Sequence, residues 1–129
     1  MRAVAATLMI AALATTAGAQ PGAPWNGTWH AYHLTEFGER YEAEVVLRAE
    51  GGTWTVYSNL PSKYTPCRNR PLPIVGMRVV DGKLHFSVDG NASLAGCPVF
   101  PVTVANTDAD TLDGLIGKAQ DRSVHMVRK

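Results

Sequence analysis

No charge of either sign dominates this chain: 12 Lys and Arg stand against 11 Asp and Glu. Nucleic acid and anionic membranes are met through basic surfaces, so a balanced chain gives no reason to expect either as a partner. Cysteine is scarce, with only Cys67 and Cys97 present. Their wide spacing excludes a Cys-x-x-Cys redox pair and offers no helper ligands for a thiolate metal site. The chain also lacks a Gly-x-Ser-x-Gly elbow, a His-Glu-x-x-His pair and a phosphate-cradling glycine loop, so the usual marks of hydrolase, metalloprotease and nucleotide chemistry are missing. Beyond the first nineteen residues, no apolar run is long enough to cross a bilayer.

What is present begins at the N-terminus. Arg2, an apolar run from Ala3 to Thr16 and the small-x-small triplet Ala17-Gly18-Ala19 have the form of a secretory signal peptide. The expected organisation is a signal peptide over 1–19, a flexible Pro- and Gly-rich arm over 20–24, and one domain over 25–129. Cleavage between Ala19 and Gln20 would place the protein in the periplasm or outside the cell. In such an oxidising compartment the two cysteines are expected to form a structural disulfide. Closing a loop of about 31 residues is worth roughly 3 to 4 kcal/mol by the chain-entropy estimate.

From Trp25 onward the pattern is that of strands. Trp29, Ala31 and His33 alternate with His30, Tyr32 and Leu34; Ala43, Val45, Leu47 and Ala49 alternate with Glu42, Glu44, Val46 and Arg48. Gly51-Gly52 reads as a tight turn before Thr53 to Ser58, and Asp81-Gly82 as a hairpin turn between Ile74–Val80 and Lys83–Val88. Pro61, Pro66, Pro71 and Pro73 mark an irregular stretch from Asn59 to Pro73. Asp89 to Gly96 reads as a second loop and Val99 to Ala105 as a strand in which Pro101 suits an edge or a bulge. A last hairpin pairs Thr111–Gly117 with Ser123–Arg128 through Lys118 to Arg122. About eight short strands without a convincing helix predict an all-β fold, an antiparallel up-and-down barrel in preference to a β-sandwich, since closure removes exposed edges.

The opening Gly27-Thr28-Trp29 and the closing Leu112-Asp113-Gly114-Leu115-Ile116-Gly117 and Ser123-Val124-His125-Met126-Val127-Arg128 resemble small bacterial lipocalin-like and avidin-like (calycin-type) secreted barrels. The resemblance implies a first-strand Trp across the barrel floor with a basic residue of the final strand beside it, here Trp29 and Arg128.

Candidate sites follow from residue chemistry. His30 and His33 face opposite sides of their strand, and His85 and His125 stand alone, so no metal site is expected. Asp108-Ala109-Asp110-Thr111-Leu112-Asp113-Gly114 departs from calcium-loop spacing and reads as a polar turn. Glu42 and Glu44 share a solvent-facing side, which does not raise a carboxyl pKa as general acid catalysis requires. The disulfide-anchored loop carries Lys63, Tyr64, Arg68, Asn69 and Arg70, donors and an aromatic of the kind that anchor interfaces. The inward set is Trp29, Val45, Leu47, Trp54, Val56, Leu84, Phe86, Val102, Val104, Val124 and Met126. Eight-stranded barrels are either filled by such side chains or hold one small ligand, and so short a chain favours filling.

The functional expectation is a non-catalytic binding protein without a cofactor. It would recognise a macromolecule, a hydrolase to be inhibited or an envelope component, through the anchored loop. The alternative is a carrier of a small apolar ligand inside the barrel, and the second alternative is an enzyme of unknown type. A cavity of several hundred cubic ångströms would favour the carrier.

Overall fold

The computed structural model describes residues 24–34, 37–61 and 63–129. The expected signal peptide and all of the expected arm except Pro24 lie outside the described residues. The chain forms a closed up-and-down barrel of eight strands: β1 Gly27–Leu34, β2 Arg40–Arg48, β3 Gly51–Val56, β4 Leu72–Val80, β5 Lys83–Asp89, β6 Val99–Asp108, β7 Thr111–Ile116 and β8 Arg122–Arg128. Every strand pairs antiparallel with its sequence neighbour, and β8 returns to β1 in the register Trp29↔Arg128 through His33↔Val124. Closure sets the sandwich alternative aside. It also leaves no exposed strand edge among the eight, as a small all-β domain needs.

Period-two alternation carries the core. All the expected inward residues except Val56 are buried, joined by Trp25, Ala31, Ala43, Leu72, Ile74, Val88, Cys97, Leu112 and Ile116. Val56 is only partly buried, because it stands at the open end of the barrel. The two ends are built differently. At one end β2–β3, β4–β5 and β6–β7 are joined by two-residue turns at Ala49-Glu50, Asp81-Gly82 and Ala109-Asp110. The positive φ of Asp81 (52°) and Gly82 (75°) gives the hairpin turn whose twist matches the strands. At the other end lie the longer connections, 35–39, 57–71, 90–98 and 117–121.

The Cys67–Cys97 disulfide links two of those longer connections, with Cα atoms 5.5 Å apart. Beside it Gly90 packs so closely that an added Cβ would lie 2.4 Å from the Pro98 carbonyl and 2.9 Å from Cys97 Cβ. The proline-rich stretch is thereby anchored covalently ahead of β4.

Several boundaries differ from the sequence reading. Gly51 and Gly52 are not the turn but the start of β3, opposite Arg48 and Leu47, and Ala49 is an exposed turn residue. Gly52 is needed for approach: a Cβ there would sit 1.8 Å from the Val46 carbonyl. β4 begins at Leu72, with Pro73 opposite Thr53, and β6 continues to Asp108. Pro101 lies within β6; its carbonyl accepts from Gly117 N just past the end of β7, so its missing N–H falls where that ladder stops. Within the expected loop, Gly90–Ser93 makes one helical turn, its first N–H groups capped by Asp89 accepting from Ala92 N. Arg122 belongs to β8, opposite Ile116, and is not part of a linker.

Candidate functional site: the mouth of the barrel

The floor of the barrel is sealed by β1 and β8. Trp29 is fully buried and its Nε1–H donates to the Trp25 carbonyl at 2.9 Å. Arg128 lies over the Trp29 ring, 4.3 Å from guanidinium carbon to ring centroid. All three of its nitrogens are engaged: Nε with Asp110 Oδ1 (3.1 Å), Nη1 with the Asn26 carbonyl (2.7 Å), and Nη2 with the Pro24 and Ala109 carbonyls (3.1 and 3.2 Å). Gly27 makes room for this head group, since a Cβ there would meet Nη1 at 2.7 Å.

The opposite end is not filled. The topmost inward residues of seven strands, His33, Tyr41, Val56, Leu72, Phe100, Ile116 and Arg122, surround a cavity of about 540 Å³. Cys67, Arg68, Pro98, Val99, Gly117 and Lys118 complete its rim. The sequence expectation of a filled barrel thus holds for the floor and the middle, where Trp54 packs against Phe86 and Phe100 with ring centroids 6.4 and 5.5 Å apart, and fails at the mouth. The disulfide holds the loops around the opening.

The polar groups of the mouth are few. His33 is buried on the inner face of β1, with Nδ1 3.4 Å from the Leu34 carbonyl and its ring edge-on to Tyr41 at 5.7 Å. Burial pushes its pKa below the usual histidine value, the Leu34 carbonyl partly opposes this, and nearby Arg122 adds to the lowering. Arg68 stacks over the Tyr41 ring at 4.5 Å. Arg122 backs onto Gly117, where a Cβ would lie 2.6 Å from its Nη2. No carboxylate is among the described residues lining the cavity, and no described residue forms an ion pair with Arg68, Lys118 or Arg122.

The five loop residues singled out in the sequence separate. Arg68 reaches the cavity. Asn69 holds its own loop, with φ of 55°, its side chain accepting from Ser58 N and donating to the Ser58 carbonyl. Arg70 donates to the Pro66 carbonyl at 3.1 Å. Lys63 and Tyr64 stay exposed, the ammonium 4.9 Å from the ring centroid. His33, Tyr41, Lys118 and Arg122 were missed. Alternation had put His33 on the inner face with Trp29 and Ala31, and the same parity puts Arg122 in line with Val124 and Met126.

Other candidates resolve into surface structure. His30 Nε2 lies 3.7 Å from Glu42, which also meets Arg40 at 3.4 Å. Glu44 accepts from Lys129 Nζ at 2.7 Å, a hydrogen bond that lowers its pKa, the reverse of what a general acid needs. His85 Nδ1 contacts Thr103 Oγ1 at 3.1 Å. The 108–114 segment is the Ala109-Asp110 turn with the ends of β6 and β7 that flank it: Asp108 caps Asp110 N, Asp110 serves Arg128, and Asp113 bonds His125 Nδ1. Ser123 shares the outer face of β8 with His125, and among the described residues no hydrogen bond joins its hydroxyl to that ring.

No family model, curated protein or solved structure matches this chain.

Proposed function

We propose that this protein binds a small, largely apolar molecule in the mouth of its barrel. The observation that carries the reading is the cavity of about 540 Å³, walled by Val56, Leu72, Val99, Phe100 and Ile116, a size and lining typical of small-molecule sites. The disulfide pre-orders the rim, which lowers the entropy lost on binding. The test is fluorescence titration with the neutral apolar probe N-phenyl-1-naphthylamine, with Val56→Trp as the cavity-filling variant. Saturable binding at one site, weakened about tenfold or more by the added ring, is the expected result. Absence of saturable binding, or equal affinity in the variant, overturns the reading.

One observation supports a macromolecular partner as the second reading. Leu34, Phe37, Tyr57, Leu60, Tyr64 and Val99 are large, exposed and all at the open end of the barrel, and apolar patches with aromatics favour protein contacts. A hydrolase would be the target class, addressed by inhibition assays with wild type and Tyr64→Ala.

A further inference from the structure

The mouth is apolar in its walls and cationic at its rim. We propose that the molecule it takes carries an anionic group, a carboxylate or phosphate on an apolar body, held by Arg68, Lys118 and Arg122. The inference rests on the small-molecule reading above and names the chemistry of that ligand.

Arg122 is the central observation. It occupies the inward register of β8, half-buried, beside Ile116 and above Val124. A half-buried guanidinium at an open mouth with no ion-pair partner among the described residues gains a charge-assisted partner when an anion completes the site. Its planar head rests on Gly117, and any side chain at 117 would displace it. Arg68 approaches from the disulfide loop, and its stacking on Tyr41 leaves the N–H edge of the guanidinium directed away from the ring face, available to a planar anion. Lys118 adds a third positive charge on a flexible stem at the rim. Three like charges around one opening repel one another, and no carboxylate among the described lining residues offsets them. An anion draws them together. Beneath them, Leu72, Phe100 and Ile116 accept the apolar body.

The measurement is isothermal titration of the purified chain with three ligands of one chain length: decanoate, 1-decanol and decyltrimethylammonium, all below their aggregation concentrations. Decanoate is expected to bind about tenfold or more tightly than decanol, the scale of one charge-assisted hydrogen bond, and the ammonium most weakly. Arg122→Gln and Arg68→Gln each narrow the gap between decanoate and decanol, and added salt narrows it further. A fourth ligand, decanoyl lysophosphatidate, separates a free acid from a lipid head group as the source of the anion. Equal affinity for decanoate and decanol overturns the anionic assignment while the cavity reading stands. No binding of any of the four overturns the cavity reading itself.

Discussion

Two strands, β1 and β8, close this barrel, and each end of their seam carries an inward arginine. At the floor Arg128 covers the Trp29 ring, and at the mouth Arg122 lines the cavity together with His33. Both guanidinium groups rest on a glycine, Gly27 below and Gly117 above, and both positions would reject a Cβ. The difference lies in what remains unspent. Arg128 gives Nε, Nη1 and Nη2 to Asp110 and three backbone carbonyls; Arg122 borders an open cavity and has no ion-pair partner among the described residues. Similar local chemistry therefore serves folding at one end and is available to a ligand at the other. Connection length accompanies the contrast, because two-residue turns surround the floor and long, covalently pinned loops surround the mouth.

The strongest way to break this comparison is at the disulfide, a feature of the mouth that also stabilises the fold. The double variant Cys67→Ser/Cys97→Ser is expected to lose about 3 to 4 kcal/mol in urea unfolding, and to bind N-phenyl-1-naphthylamine more weakly because the rim is no longer held. The β1–β8 register lies outside the bridged loops, so the far-UV signature of the barrel should persist. Its disappearance would mean that the mouth carries closure as well. The next largest effect separates the arginines directly. Arg128→Ala leaves three carbonyls and Asp110 without their donor and is expected to cost about 2 to 3 kcal/mol. Arg122→Ala stays within about 0.5 kcal/mol of wild type. Equal losses in the two unfolding curves would erase the distinction between a structural and an available arginine.

Much of the floor was legible in the sequence, and less of the mouth. Strand alternation is a local property, so Trp29, Val45, Leu47, Phe86 and Val104 could be assigned to the interior one strand at a time. The Asp81-Gly82 turn was readable because positive φ at two successive positions demands such residues. Gly51-Gly52 misled, since glycine also serves close approach, and only the opposing Val46 carbonyl shows which role applies. The cavity could not be read. It is formed where seven strands end and the longer connections begin, a fact about the height of residues in a barrel and not about their spacing. Arg122 was hidden by a boundary one residue late, and His33, though on the inner face by alternation, showed nothing of its depth, which strand parity does not report.

His33 supplies the smallest effect and the one confined to the mouth. Burial lowers its folded pKa beneath the ordinary histidine value of 6.5 that the unfolded chain retains. Between those two values the unfolded state binds the proton and the folded state does not, so the contribution is full above about pH 6.5 and is lost as pH falls toward the folded value. Urea unfolding at pH 7.5 and 5.5 should show wild type losing more stability than His33→Gln over that interval. The seal at the floor is made by an arginine, which stays charged throughout this range, so Trp29 burial and the Arg128 contacts should not contribute to the difference. An identical pH response in the variant would place the titrating group elsewhere, and would remove the acid sensitivity that His33 gives the mouth.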